Sequence, residues 1–278
     1  MLHSLYKDAV KNREKIIDIL NNPEIEKLKN EAKKSWNEHI PKPEKVIMAG
    51  IDSSFNTEKF QGVELWATDA VAVKINEEIV CEDFDYGLKT NAENIPRIAS
   101  LMEIKLCDEA KDNVDLVLMD GSISSYFQFG YEEIERKIKI AMRKDNVVFI
   151  SKTSSTVGRF KEFGVNLGDI YFYNYGTDTI GFSDIFETRD SRTLSTIAHV
   201  FARLSNSVPL IKIELFGKNH TNDDFKEVIN KISMHMVRGY PYELKLAHNR
   251  CKIWGKDMKK LVSLYGMTNL IGSREVLG

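Results

Sequence analysis

The spacing of apolar residues along the chain switches between helical and strand periods, and the switches predict its elements. Residues 1–40 read as helical, with Leu5, Val10, Ile16, Ile17, Leu20, Ile25 and Leu28 at helical spacing among Lys and Glu. Asn21-Asn22-Pro23 breaks that segment and Pro41-Lys42-Pro43 ends it. The pattern predicts a helical N-terminal arm over 1–43 and a main domain over 44–278. At Glu44 the period changes: KVIMAGID predicts a buried strand with Asp52 at its tip, followed by a polar turn. VELWATDAVAVKI (63–75) and EEIVCEDFDYGL (77–88) continue as β-branched, largely alternating runs, which makes an antiparallel meander.

Residues 91–112 return to a helical stripe through Ile95, Ile98, Met102, Leu106 and Ala110. VDLVLMD (114–120), EEIERKIKIAMRK (132–144) and NVVFISK (146–152) then read strand, helix, strand, the order that builds parallel pairing. DIYFYNYG (169–176) and TIGFSDIFET (179–188) read as paired strands, and VPLIKIELFG (208–217) as another. A helix follows over about 223–238, capped by Thr221, Asn222 or Asp223, and Gly239-Tyr240-Pro241-Tyr242 interrupts it. LKLAHNRCKI leads into a last short helix, KDMKKLVSLYG. With no repeat, low-complexity tract or long linker, one α/β domain behind a helical arm is the simplest reading.

Composition changes this picture little. Of 278 residues 42% are hydrophobic and 29% charged, which excludes a disordered or fibrous chain. No apolar run approaches the ~18 residues that span a bilayer, and the first residues lack the apolar core of a secretory signal. Cys81, Cys107 and Cys251 are odd in number and widely spaced, which favours free thiols in a reducing cytoplasm. A net charge of −2, from 39 Lys+Arg against 41 Asp+Glu, argues against a protein held on nucleic acid by bulk attraction.

Two apolar runs end in an acid beside small polar residues: Gly50-Ile51-Asp52-Ser53-Ser54 and Met119-Asp120-Gly121-Ser122. Carboxylates at adjacent strand ends of an open α/β sheet can share a hard divalent cation, although Asp-Gly and Asp-Ser are also ordinary turn dipeptides. Glu103, beside an apolar helical stripe, needs a partner, either a metal or a lysine such as Lys105 or Lys152. His248 is suited to ligation or proton transfer, or is structural like most single histidines. Tyr240 could hold a phosphate or water, or pack in the core. The loop Ser151-Lys152-Thr153-Ser154-Ser155-Thr156 suits phosphate contact but lacks a P-loop pattern. Arg189, Arg192 and Arg203, like Lys256, Lys259 and Lys260, read as solvated basic faces.

Taken together, GIDSS, the Glu in LMEI, LMDGS, ISKTSS and GYPYELKLAHNRCKI resemble the NurA nuclease family in order and spacing from about residue 45 to 255. The resemblance implies a ribonuclease-H-like (Piwi-like) mixed central sheet flanked by helices. It implies a deoxyribonuclease using Mn²⁺, with Mg²⁺ as the alternative and two ions per site. It implies 5′-to-3′ exonuclease action on single- and double-stranded DNA, endonuclease action on single strands, a homodimer, and partnership with a HerA-type hexameric helicase/translocase in end resection. The family's acids fall on Asp52, Glu103 and Asp120, and its tyrosine and histidine on Tyr240 and His248. His248 would be a further ligand or a proton carrier, and Lys152, Ser53 and Ser122 would contact the DNA phosphate. The helix also offers Glu93 and Glu109 as third acid, and the first motif reads Asp-Ser-Ser where relatives often have Asp-Gly-Ser. Two rivals remain at this level: an actin/hexokinase-like ATPase, and a non-catalytic DNA or helicase adaptor.

Overall fold

The computed structural model describes residues 2–89, 94–127, 136, 138, 139, 146–161, 167–189 and 195–270. Its centre is a ten-stranded mixed sheet. The first three long strands, β2 (Met48–Phe60), β3 (Val63–Lys74) and β4 (Ile79–Lys89), form an antiparallel meander. On the other side of β2, β5 (Leu116–Asp120) and β6 (Val147–Ser151) add in parallel. Beyond β6 the sheet turns antiparallel through β10 (Ile211–Phe216), β9 (Thr196–Arg203), β7 (Gly181–Ser183) and β1 (Trp36–Glu38), with β8 (Phe186–Arg189) also on β9. A meander extended by two parallel strands beside its first strand is the ribonuclease-H-like arrangement, as expected.

Strand parity sorts the core. On β5, Val117 and Met119 face one side with Phe149 of β6, and Leu116 and Leu118 face the other with Val148. The first side is covered by α3 (Ile95–Ala110) through Met102, Leu106 and Cys107. The second is covered by α6 (Asn222–Ile232) through Phe225, Ile229 and Ile232, and by α7 (Tyr242–Cys251) through Leu244. The last helix, α8 (Gly255–Leu264), seals Leu65 and Ala67 of β3 with Met258 and Val262. Strands buried on both faces read as nearly continuous apolar runs, which explains their legibility.

Several elements differ from expectation. The arm is two helices, α1 (Leu2–Leu20) and α2 (Pro23–Lys34), and residues 36–38 leave the helical pattern to become β1, paired with β7. DIYFYNYG is not a strand but a helix, α5 (Asp169–Gly176), numbered after the short α4 (Ile123–Phe127). Its β-prone aromatics are overridden by packing: Phe172 and Tyr173 bury against Ile25, Leu28 and Ala32 of α2. Buried Asp169 accepts the backbone N–H groups of Gly158 and Arg159, anchoring the first turn. The segment TIGFSDIFET supplies β7 and β8, which pair with β9 and not with each other, and β9 itself carries no strand expectation. Arg203 is not on a solvated face; it is buried at the end of β9. The expected helix at 132–144 falls mostly outside the described residues, as do Glu93 and Arg192. All three cysteines are free, and among the described residues no helix is long and apolar enough to cross a membrane.

Candidate active site and metal centre

Asp52 is not at a strand tip. β2 runs eight residues past it to Phe60, because Ser53–Phe60 pairs with β3 along its whole length. Parallel pairing with β5, however, stops at Ile51, opposite Met119. Asp52 is therefore the residue at which β2 passes the carboxyl end of β5, where Asp120 is the last strand residue. Both have even parity, so both face α7.

The helix is aligned with the strand. The rise from Gly50 to Ser54 along β2 is about 13 Å and that from Glu243 to Cys251 along α7 about 12 Å. Gly50 lies beneath the first turn, where a Cβ would overlap the Glu243 carbonyl and the Leu244 nitrogen. Ser54 Oγ closes the last turn, donating to Cys251 O at 2.8 Å and accepting from Ile253 N at 2.9 Å. Between these ends, His248 comes down on Asp52 with Nδ1 2.8 Å from Oδ2.

Asp52, Asp120 and His248 each place a ligand atom so that all three lie within 4.8 Å of one another. The pKa of Asp52 is raised, by burial first and by the Asp120 carboxylate second, against the opposing pull of His248 and the Ser53 N–H. Asp120 accepts the Tyr240 hydroxyl at 2.8 Å and the Lys152 amine at 3.1 Å. Lys152 also lies 4.8 Å from the centroid of the Tyr240 ring. Burial and the same carboxylate push the Tyr240 pKa far up, so its hydroxyl is a standing donor. Two crowded carboxylates and an imidazole fit a hard divalent cation that accepts one nitrogen, such as Mn²⁺ or Mg²⁺.

Glu103 is near but separate. Its partner is neither a lysine nor the three-residue cluster: Ser53 Oγ and Tyr126 OH each donate to it at 2.5 Å. Ser53 has odd parity and faces α3, so Glu103 approaches from the opposite side of the sheet to His248. Burial raises its pKa to about 7 despite those two hydrogen bonds. Of the two lysines considered for it, Lys105 pairs with Asp83 and Lys152 with Asp120. Ser122 likewise does not face the cluster; its hydroxyl donates to Glu214 at 2.9 Å, and the Ile123 N–H joins at 2.6 Å. The hydroxyls of Ser53 and Ser122 are thus engaged with carboxylates, which leaves Lys152 as the expected phosphate contact with an exposed donor.

Sequence reasoning missed Tyr126, Lys212 and Glu214. Glu214 is fully buried, paired with Lys212, and through Ser122 and Ile123 it holds the turn that follows Asp120. A signal existed: in IKIELF the charges occupy one parity of a strand whose other parity is wholly apolar.

A ribonuclease-H-like sheet whose carboxyl edge gathers two acids and an imidazole defines the class, an α/β domain with three side chains placed where they could hold a divalent cation. The NurA domain family matches residues 46–253, and this chain belongs to it. A Sulfolobus acidocaldarius protein described as DNA double-strand break repair nuclease NurA is 23% identical over 96% of this chain and 96% of its own. The crystal structure of the NurA nuclease from Sulfolobus solfataricus superposes with a TM-score of 0.76 at 22% identity, covering 96% of this chain and 97% of that one. A crystal structure of NurA bound to dAMP and manganese superposes at 0.70 with 13% identity, covering 94% and 97%.

Proposed function

We propose that this chain is a metal-dependent DNA nuclease that hydrolyses phosphodiester bonds at the Asp52–Asp120–His248 cluster. The observation that carries the reading is the convergence of three ligand atoms, from β2, β5 and α7, within 4.8 Å at the sheet's carboxyl edge. The relatives support DNA as substrate: one is named a double-strand break repair nuclease, and a related structure holds dAMP with manganese.

Asp52, Asp120 and His248 would hold the cation. Glu103 would serve a second one, since it and Asp52 share Ser53, one accepting its hydroxyl and the other its N–H. When bound, such cations offset charge on the phosphate and its leaving oxygen and supply a nucleophilic water at neutral pH. Tyr240 fixes the Asp120 carboxylate by donating to it. Lys152 reaches the same carboxylate from an exposed loop and is free to swing onto a phosphate oxygen that enters the cluster.

The finer reading follows the resemblance: 5′-to-3′ exonuclease action, endonuclease action on single strands, a homodimer, and work beside a HerA-type helicase in the cytoplasm. Helix α1, with Leu5, Tyr6 and Val10 exposed, is the surface we assign to those protein contacts. The test is cleavage of end-labelled DNA with Mn²⁺, Mg²⁺ or chelator. Asp52→Asn and Asp120→Asn are expected to lose more than about a hundredfold in rate, the scale of losing a catalytic group. Cleavage by either variant near the wild-type rate, or by wild type in chelator, would overturn the assignment.

A further inference from the structure

A cavity of about 350 Å³ reaches the cluster at His248, and a second of about 360 Å³ lies next to it across shared Lys152, Pro209 and Leu210; together they are taken as one groove. One end is walled by Tyr240 and His248, the other by Tyr171 and Tyr175 of α5. Each lobe has the volume of a small-molecule site, about 300–1,000 Å³.

The lining has one sign of charge. Among the described residues, Lys152, Arg238 and Lys245 line the groove and no carboxylate does. By contrast, the cavity between α3 and β4 is lined by Asp83, Asp85, Asp108 and Glu109 together with Lys105. A chain of net charge −2 thus keeps carboxylates out of one groove that begins at its candidate active site. The far end carries aromatic faces. Tyr175 is 63% exposed, and its ring centroid lies 4.7 Å from that of half-buried Tyr171. The pair is firmly held: Asn174 accepts the Leu210 N–H at 3.1 Å, and buried Arg203 donates to the carbonyls of Asn174 and Thr177 at 3.0 Å and to that of Val208. These contacts lock the end of α5 to the β9–β10 connection that floors the groove.

We propose that this groove is the track of the single DNA strand bound at the cluster, with its backbone along Lys152, Lys245 and Arg238 and a base several nucleotides from the scissile bond stacked on Tyr175. The inference rests on the nuclease reading above and specifies its substrate contact. Cations following a backbone and an exposed ring meeting a base face are the two parts from which sequence-tolerant single-strand binding is built. The stretch DIYFYNYG, which reads as a strand in the sequence, thereby has a reason for its outward tyrosines as well as its buried aromatics.

The experiment measures binding with the full chain in chelator, by fluorescence anisotropy of a labelled twelve-nucleotide oligothymidylate and of a labelled thymidine dinucleotide. The expected result is that Tyr175→Ala weakens binding of the longer probe about tenfold, the size of one lost stacking contact, and removes most of the preference for length. Tyr175→Phe, which keeps the ring, is expected to retain wild-type affinity to within about twofold. Thermal melting of both variants controls for folding. If the wild type binds and cleaves DNA but Tyr175→Ala binds the longer probe equally well, the track is overturned while the nuclease reading stands. If Tyr175→Phe loses affinity as much as Tyr175→Ala, the ring face is not the contact and the proposal falls. If the unaltered chain neither binds nor cleaves DNA, both readings fall.

Discussion

Asp52 carries opposed demands: it accepts the Ser53 N–H and faces His248, yet burial and Asp120 raise its pKa. A divalent cation bound there would resolve that conflict by holding both carboxylates ionised at once. Tyr240 bears on it indirectly. Its hydroxyl donates to Asp120 Oδ1 and stays protonated because its own pKa is pushed far up. Tyr240→Phe keeps the ring and removes the donor, so Mn²⁺ affinity by calorimetric titration should fall about 10–100-fold, the usual cost of an outer hydrogen bond to a metal ligand. An unchanged affinity would show that Asp120 needs no such orientation.

At the scale of elements, the site depends on how closely α7 lies on β2. Gly50 permits contact with the Glu243 carbonyl, and Ser54 fastens the other end. Gly50→Ala should therefore displace the helix and cost about 1–3 kcal/mol, the range for overpacking a filled contact, read from urea denaturation. The same variant should show a smaller rise in melting temperature with Mn²⁺ than wild type, because ligand-linked stabilisation tracks affinity and His248 rides on the displaced helix. A full Mn²⁺ shift in a destabilised Gly50→Ala would separate helix seating from the metal site.

For the whole molecule, charge and burial set the responses to acid and salt. His199 is buried on β9, stacked on Phe186 at 5.2 Å, with neither ring nitrogen hydrogen-bonded among the described residues. Burial lowers its pKa from 6.5 to about 3. Between those values the unfolded chain takes up a proton that the native one refuses, so stability falls as pH falls through that window. His199→Leu should remove this loss, gaining on wild type by up to about 1.4 kcal/mol per pH unit below 6.5 in denaturant titrations. Equal acid sensitivity of the two proteins would place the titration elsewhere. In salt, three groove cations predict a slope near −2 for log K against log [salt] on single strands, at about 0.7 per phosphate contact. A slope steeper than about −5 would mean a far broader basic surface than the groove provides.

What the sequence determined by itself was local and periodic. The meander, the parallel pair β5 and β6, and helices α3 and α6 were legible because each buries a face whose period shows in the residues. Asp52 and Asp120 stood out because each closes an apolar run, whereas Tyr240 and His248 entered the site only through the resemblance. Tertiary structure alone decided the rest. It carried β2 through a polar stretch that reads as a turn, because β3 supplies the hydrogen bonds. It wound an aromatic, strand-like segment into α5, because α2 covers it. It also put Glu103 on one face of the sheet and the Asp52–Asp120–His248 cluster on the other, a matter of one residue's parity between Ser53 and Asp52. Net charge, an average over the surface, could not show that one groove excludes carboxylates; only packing distant segments side by side made that visible.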